Sequence, residues 1–197
     1  MRRFQEPLLL LATTNAGKRA LIADQLDRLG VSYATPDTHP IPDVEETGAT
    51  FFDNALLKAK ACATATGLVA LADDSGLEIP SLGGIPGVHT GRFARDAGGY
   101  DACFVKLENM LEGKDTTAIF TSHLVIAWPD GHFEHAKGTI EGRLVFPPRP
   151  GRGFGYFPIF APKGSDKTFS QMEDDEILAY NHRYLAFQGL REVFTAP

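Results

Sequence analysis

The sequence has few cysteines and no excess of basic residues. Cys62 and Cys103 are its two cysteines among 197 residues, so a disulfide-stabilised fold is excluded and a reducing compartment, the cytoplasm, is expected. Lysine and arginine number 19 against 25 aspartates and glutamates, which gives a formal net charge of -6. Without a basic surface, binding to nucleic acid by counterion release is not expected.

Long hydrophobic runs are also missing. The four leucines of 8–11 form an apolar run that is too short to span a membrane, and the residues around it lack a signal-peptide cleavage pattern. Such a run is typical of a strand buried on both faces. With 43% hydrophobic and 22% charged residues, the composition is that of an ordinary globular protein. We therefore expect one domain over 1–197, with no membrane partner.

Helices and strands alternate in the first part of the chain. The second predicted helix begins at Thr50, which forms a capping-box pattern with Asp53, and it ends at Gly67. The predicted order is strand 8–12, loop 13–18, a helix ending at Gly30, strand 31–35, helix 50–67, strand 68–72, loop 83–95, helix 100–111, strand 117–127, a turn at 129–131, strand 132–144, loop 147–156 and a last helix containing Ala186, Leu190, Val193 and Phe194. This order predicts an α/β fold with a mixed sheet.

The loop over 13–18 follows a strand and opens a helix. Such a loop presents unpaired backbone N–H groups and the positive end of the helix dipole, so it favours anions, and Lys18 adds a full charge. The spacing is not that of a Walker A loop. The alternative is a capped helix start with a surface lysine.

Two pairs of carboxylates are candidates for a functional site, the first pair for a Mg²⁺ site and the second for a ligand site at the end of a strand. Glu45 and Glu46 precede the second helix, and Asp73 and Asp74 follow the buried strand 68–72. Hard cations such as Mg²⁺ take oxygen ligands, often only one or two carboxylates. The alternatives are surface charges that stabilise a helix start and an ordinary turn. Because side chains alternate along a strand, we expect only one of the two aspartates to face a given cleft.

Other polar and aromatic residues could bind a ligand. Asn54 and Lys58 are four residues apart on one helix and share a face, whereas Lys60 points elsewhere. Gly153–Tyr156 places aromatic rings between glycines, where a ring could stack on a nucleobase or anchor the loop. His182 and Arg183 start the last helix, where they could donate to a base carbonyl or cap the helix and pair with the acidic run 173–176.

Taken together, these motifs resemble the inosine triphosphate pyrophosphatase family. The resemblance covers nearly the whole chain, and the order and spacing of its pieces make it specific. It rests on Thr13–Lys18, Glu45–Gly48, Phe52–Ala55 with Lys58 and Ala59, Ala72–Leu77, Pro86 and Gly87 with Arg92, Gly153–Tyr156 with Pro158–Phe160, and His182 with Arg183.

The resemblance implies a two-lobed α/β fold, in which a long mixed sheet flanked by helices borders a central substrate cleft. It further implies a homodimer and a Mg²⁺-dependent reaction that converts a nucleoside triphosphate and water to the monophosphate and pyrophosphate. The substrates would be non-standard purine nucleotides: ITP, dITP and XTP.

The resemblance also assigns roles to residues. Glu46 and Asp74 would hold Mg²⁺, and Asp74 would orient or deprotonate the water that attacks the α-phosphorus, with Asp73 as a supporting partner. Phe154 would stack on the base, and His182 and Arg183 would read its edge. The implied substrate-binding set is Thr13, Thr14, Asn15, Ala16, Gly17, Lys18, Asn54, Lys58, Ser75, Phe154, Gly155, Tyr156, His182 and Arg183, in which the two lysines neutralise the triphosphate.

Three departures from the family pattern cluster in the part that reads the base. Phe157 stands where the family has aspartate, Ile177 where it has lysine, and Asn181 and Tyr184 flank His182–Arg183 where it has serine and glycine. These changes predict altered or relaxed base selectivity. Two alternatives stay open: a nucleotide-binding paralogue or sensor without turnover, and a pyrophosphatase for another modified nucleotide.

Overall fold

The fold is described from a computed structural model, which covers residues 1–195. The strands are β1 (Leu9–Leu11), β2 (Tyr33–Ala34), β3 (Val69–Glu78), β4 (Thr117–Ala127), β5 (Phe133–Leu144) and β6 (Phe160–Pro162). The helices are α1 (Ala16–Arg28), α2 (Phe51–Thr66), α3 (Thr90–Asp96), α4 (Tyr100–Met110), α5 (Asp174–Ala179) and α6 (His182–Phe194). Residues 196 and 197 of the predicted domain lie outside the described part of the chain.

Within residues 1–195, six strands form one sheet in the order β2-β1-β3-β4-β5-β6. Strand β1 is parallel to both β2 and β3, and Leu9 is in register with Tyr33 on one side and Val69 on the other. Strands β5 and β6 are antiparallel. The predicted α/β class with a mixed sheet is therefore confirmed.

The chain divides into two compact units. The first comprises Met1–Ser75, Ser122–Gly138 and the chain from Arg183 onward, and the second comprises Gly76–Thr121 and Thr139–His182. The first unit contains two apolar clusters, one including Leu9, Leu11 and α6 side chains and the other including Leu10 and the alanine face of α2. The second unit has a core of its own, rich in phenylalanine.

Helix α2 begins where the sequence predicts, whereas α1 begins at Ala16, inside the predicted loop 13–18, and both helices carry side-chain caps. Asn15 accepts a hydrogen bond from the backbone N–H of Lys18 at the start of α1. Thr50 and Asp53 form a complete capping box on α2, and Gly67 ends that helix in the left-handed region, at φ 69°.

Strand β3 is longer than the sequence predicts. The expected strand ends at Ala72 with a turn after it, whereas β3 continues through Asp73 and Asp74 to Glu78. Charged residues are disfavoured inside buried strands unless they are paired. Here both aspartates have cationic partners, so the backbone stays extended and carries them past the end of β1 at Leu11.

Other predicted boundaries also need correction. The segment 83–95 is not a continuous loop, since Thr90 starts α3 and its hydroxyl donates to the Gly87 carbonyl at 2.6 Å. Strand β2 is shorter than the predicted 31–35. The sequence pattern predicts neither β6 nor α5, both of which are short. None of the helices among residues 1–195 combines the length and apolar character that a bilayer crossing requires.

Candidate functional site

The two adjacent aspartates of β3 have different partners. Asp73 pairs with Lys18 of α1, whereas Asp74 pairs with Lys58 of α2. This division follows from the alternation of side chains along an extended strand. Both aspartates and both lysines belong to the first unit, in which ion pairs join Lys58 to Glu46 and Asp74 and join Lys18 to the neighbouring Asp73.

Lys58 joins two carboxylates from different parts of the first unit. Its Nζ lies 2.6 Å from Oε1 of Glu46 and 3.2 Å from Oδ1 of Asp74. Asn54, one turn earlier on α2, donates from Nδ2 to the second oxygen of Asp74 at 3.3 Å. The shared face of Asn54 and Lys58 that the spacing predicts is therefore the face that meets Asp74.

Asn54 also fixes the segment that carries Glu46. Its Oδ1 accepts a hydrogen bond from the backbone N–H of Gly48 at 2.7 Å. A Cβ added to Gly48 would lie 2.6 Å from Oδ1 of Asn54 and 2.6 Å from Cβ of Asp53. This close approach requires glycine at position 48, and it ties the position of Glu46 to the start of α2.

The protonation of this cluster follows from its burial and its charges. Burial raises the pKa of Asp74 above its usual value; Lys58 and Lys18 oppose the rise, while Glu46 and Asp73 add to it. Burial alone would lower the pKa of Lys58, but Asp74 and Glu46 outweigh it, so this pKa is raised and the ammonium is retained. Asp74 is thus a carboxylate whose affinity for a proton is increased by its environment.

Asp73 is the centre of a second charged cluster. Lys18 Nζ lies 2.7 Å and Arg183 Nε 3.5 Å from the same oxygen, Oδ2. Ser122 donates to Oδ1 at 2.6 Å, and Ser75 donates to Oδ2 at 3.1 Å. Burial would raise the pKa of Asp73, but Lys18 and Arg183 lower it far more, so this carboxylate is ionised at neutral pH.

The loop that precedes α1 is accessible. Thr14, Asn15 and Ala16 are exposed, whereas Thr13 and Gly17 are half-buried. The hydroxyl of Thr13 accepts a hydrogen bond from the backbone N–H of Asn15 at 3.3 Å, and Asn15 caps the helix. The first turn of α1 carries no acidic residue, so its N-terminal dipole is left for an external anion.

The aromatic loop of the second unit presents one exposed ring. Phe154 is 48% exposed and stacks on Phe157, with ring centroids 5.3 Å apart at 25°. Phe157 in turn packs on Phe169 at 5.1 Å. Gly155 has φ 67°, a left-handed conformation that favours glycine. Tyr156 is buried, and its hydroxyl donates to the Thr90 carbonyl at 2.9 Å, so its side chain supports the loop from inside the core.

His182 and Arg183 are adjacent in sequence but have different environments. His182 is buried in the second unit, where its ring lies nearly parallel to Phe120 at 4.9 Å. Arg183 belongs to the first unit and donates from Nη2 to the Ser75 hydroxyl at 2.7 Å. Ile177, which stands at a position of departure from the family, packs against the core of the second unit.

The residues of the first unit fit a divalent cation. Glu46 and Asp74 converge on one ammonium group, which shows that two hard oxygen ligands can surround a single positive charge there. In residues 1–195 no group of three or more His, Cys, Asp or Glu side chains is arranged for a metal. Mg²⁺ is usually held in proteins by one or two carboxylates together with water and substrate phosphate.

Three features of this region escaped the sequence analysis. Ser122 bonds to Asp73 across the sheet, Gly48 packs against Asn54, and Arg183 pairs with Asp73 and Ser75. Asp73 and Ser122 are 49 residues apart, so no local pattern links them, and the contact between Gly48 and Asn54 depends on the path of the backbone before α2. The alternation of Asp73, Asp74 and Ser75 was a usable signal, since it places the first and third side chains on one face.

Comparison with known proteins places this sequence among the proteins of one family. The sequence model of the Ham1 family matches residues 9–193. An Agrobacterium fabrum protein named dITP/XTP pyrophosphatase is 44% identical over 209 residues, covering 98% of this chain and 98% of the relative. A Thermus thermophilus protein of the same name is 43% identical over 188 residues, covering 94% of this chain and 91% of the relative.

Solved structures agree with this result. A HAM1 protein from Coxiella burnetii matches with a TM-score of 0.85 at 33% identity, over 95% of this chain and 98% of that one. A nucleoside-triphosphatase, also titled dITP/XTP pyrophosphatase, from Mycobacterium abscessus matches with a TM-score of 0.77 at 34% identity, over 93% of this chain and 97% of that one.

Proposed function

The chain belongs to the Ham1 family, and from this premise we propose that it hydrolyses non-standard purine nucleoside triphosphates, among them dITP, ITP and XTP, to the monophosphate and pyrophosphate. The observation that carries the proposal is the convergence of Glu46 and Asp74 on Lys58 within 3.2 Å. Near-full-length relatives named dITP/XTP pyrophosphatase support it.

We propose Mg²⁺ as the cofactor, held by Glu46 and Asp74. When bound, a divalent cation supplies Lewis acidity and neutralises charge that develops on the phosphates. The six charged side chains of the two clusters, Lys18, Lys58, Arg183, Glu46, Asp73 and Asp74, carry three positive and three negative charges. A site with no net charge of its own needs the cation to attract a polyphosphate.

The residues of the chain would position the attacking water and bind the phosphates. Asp74 would accept a hydrogen bond from the attacking water and take its proton, a role that suits a carboxylate whose pKa is raised. Lys18 and Lys58, together with the backbone N–H groups of Thr13–Lys18, would hold the triphosphate and the leaving pyrophosphate. Phosphoryl chemistry requires mainly this positioning and charge neutralisation.

Recognition of the base would belong to Phe154 and His182. The exposed ring of Phe154 offers a stacking surface, supported from behind by Phe157. Phe157 and Ile177 both pack in the apolar core of the second unit, so the two departures from the family pattern bring no charged group to a base. We infer relaxed base selectivity, because discrimination between purines depends on placed donors and acceptors.

The selectivity prediction is tested with a substrate panel. We expect pyrophosphate release from dITP, ITP and XTP, with kcat/KM for dITP exceeding that for dATP by no more than about tenfold, since stacking alone discriminates poorly among purines. Steady-state assays with all four common deoxynucleotides provide the comparison. A preference for dITP of about a hundredfold or more would contradict relaxed selectivity and leave the pyrophosphatase proposal intact.

A second prediction concerns Gly48→Ala. The new methyl group would meet Asn54 and displace the segment that carries Glu46, so we expect the apparent affinity for Mg²⁺ to fall about tenfold or more, as for other supporting residues of metal sites. Magnesium titrations of turnover provide the measurement. The matched control is Gly91→Ala, because a Cβ at that position has nothing within 4 Å. An unchanged magnesium dependence in Gly48→Ala would contradict the assigned role of Glu46.

The hydrolysis itself has a simple test. Incubation with dITP and Mg²⁺ should yield dIMP and pyrophosphate in equal amounts, and the chelator EDTA should stop the reaction. Binding of dITP without turnover would favour the alternative of a nucleotide sensor.

We also propose that residues 1–197 act as one pyrophosphatase domain, and that the protein is a homodimer in the cytoplasm. Both proposals rest on the family resemblance. Light scattering measures the molar mass of the protein in solution and so tests the homodimer.

A further inference from the structure

The ring of Phe154 is the outer end of a series of aromatic contacts in the second unit. It stacks on Phe157 at 5.3 Å between ring centroids, and Phe157 packs on Phe169 at 5.1 Å. Phe169 lies nearly parallel to Phe120 at 6.3 Å, and Phe120 stacks on His182 at 4.9 Å. Each of these separations lies in the range of favourable aromatic pairs. The series therefore joins the two residues that are proposed to contact the base.

The inner rings of this series are enclosed by the core, whereas the outer ring is not. Phe120, Phe169 and His182 are buried, and Phe154 is exposed on a loop. A buried ring keeps its orientation because close-packed neighbours surround it. An exposed side chain keeps its rotamer freedom unless a contact restricts it. The orientation of Phe154 therefore depends on Phe157, which joins it to the buried rings.

The ring of Phe157 is itself restricted by its surroundings. It packs on the buried Phe169, and the loop backbone lies close to it, since a Cβ added to Gly153 would be 2.3 Å from its Cδ2. The backbone N–H of Phe157 also donates to the carbonyl of Phe154 at 3.4 Å. Phe157 is thus fixed both to the core and to the loop that carries Phe154.

The residue type at position 157 matters for this arrangement. Aspartate, which the family pattern has at this position, offers no ring to stack on Phe154, and it would bring a charge next to the apolar ring of Phe169. Phenylalanine supplies a flat apolar surface on both sides. The departure from the family pattern therefore adds a contact between the exposed ring and the core.

We propose that Phe157 is a positioning residue that holds the ring of Phe154 as a fixed stacking surface for the base, with Phe169 and Phe120 as its anchor in the core. Fixing the ring in advance reduces the ordering that nucleotide binding would otherwise require. A flat surface stacks on any purine, so this role agrees with relaxed base selectivity. The inference rests on the proposed function, which makes Phe154 the stacking residue.

A double-mutant cycle tests whether Phe157 acts through Phe154. The probe is dIMP with Mg²⁺, measured by titration calorimetry, since dIMP carries the base and has no anhydride to hydrolyse. We expect Phe154→Leu to weaken binding about tenfold and Phe157→Leu about fivefold, because leucine is apolar but has no flat ring. The double variant should bind as weakly as Phe154→Leu alone, within about twofold. A loss near the product of the two single losses, about fiftyfold, would overturn the proposal.

A ligand without a base separates positioning from general damage to the fold. Inorganic tripolyphosphate with Mg²⁺ has no ring to stack, so its affinity for Phe157→Leu should equal that of the wild type within about twofold. Equal losses for tripolyphosphate and dIMP would show that the substitution disturbs the whole protein, and they would overturn the proposal.

The matched control replaces another half-buried ring. Phe4 packs on Phe194 with ring centroids 5.9 Å apart at 57°, close to the 58° between Phe157 and Phe169. The ring of Phe4 packs against a core cluster of the first unit, so Phe4→Leu should keep the dIMP affinity within about twofold of the wild type. A loss as large as that in Phe157→Leu would contradict a specific role for Phe157.

These measurements do not depend on turnover. If the wild type binds dIMP but releases no pyrophosphate from any nucleotide, the proposed function fails while the double-mutant cycle still decides this inference. If the wild type hydrolyses dITP and the losses in the cycle multiply, only this inference fails. A wild type that does not bind dIMP has no fixed stacking surface for a base, and that result would also overturn the proposal.

Discussion

Replacing Asp74 with asparagine is expected to reduce turnover of dITP by about a thousandfold or more, with little change in the fold. Asparagine has nearly the same shape and can keep the contact with Asn54 by presenting its carbonyl oxygen to Nδ2. It cannot accept a proton from water, and as a neutral group it is a poorer ligand for Mg²⁺. Steady-state kinetics at saturating Mg²⁺ measures the loss, and the thermal unfolding midpoint reports on the fold.

The control for this variant is Glu45→Gln. Glu45 is exposed and adjacent to Glu46, so it carries the same charge in the same segment, whereas Lys58 pairs with Glu46. Glu45→Gln should keep turnover within about threefold of the wild type, as expected for an exposed charge. Turnover in Asp74→Asn within tenfold of the wild type would contradict the assignment of Asp74 as the base and metal ligand.

Replacing Lys58 with methionine has the second-largest expected effect. Lys58 is the cation that Glu46 and Asp74 share, and its removal leaves two carboxylates facing each other with one of them buried. Breaking a buried ion pair by removing one partner costs about 3–5 kcal/mol. The triphosphate also loses one of its cations. We expect kcat/KM for dITP to fall about a hundredfold or more.

The helix offers a matched control for this prediction. Lys60 lies two residues further along α2, is exposed, and contacts the ring of Phe133 at 5.1 Å instead of the acidic cluster. Lys60→Met removes the same charge from the same helix and should leave kcat/KM nearly unchanged. Lys58→Arg should recover part of the activity, because it restores the charge with a different geometry. Equal losses in Lys58→Met and Lys60→Met would contradict a specific role for Lys58.

The sequence predicted most of the regular elements of the first unit. The leucine run and the capping box at Thr50 are local signals, and β1 and α2 begin within about a residue of their predicted positions, whereas α1 begins at Ala16, inside the predicted loop 13–18. The short elements β6 and α5 were missed because three to six residues carry too little periodicity. The extension of β3 through Asp73 and Asp74 was missed because the ion pairs that allow it join residues far apart in sequence.

The candidate site was predictable only where local signals determine it. Spacing along α2 placed Asn54 and Lys58 on one face, and alternation along β3 separated Asp73 from Asp74. Neither rule could identify Lys18 as the partner of Asp73 or place Arg183 beside Ser75, because these are contacts between elements. The burial of Tyr156 was equally hidden, since an aromatic residue between glycines has the same pattern whether it faces solvent or core.

The most direct test of the central claim is to locate the oxygen that water contributes. dITP is hydrolysed with Mg²⁺ in water labelled with heavy oxygen, and mass spectrometry determines which product carries the label. The account predicts a labelled dIMP and an unlabelled pyrophosphate, since water positioned by Asp74 attacks the α-phosphorus. A labelled pyrophosphate with an unlabelled dIMP, or release of labelled orthophosphate, would place the attack at another phosphorus and contradict the account.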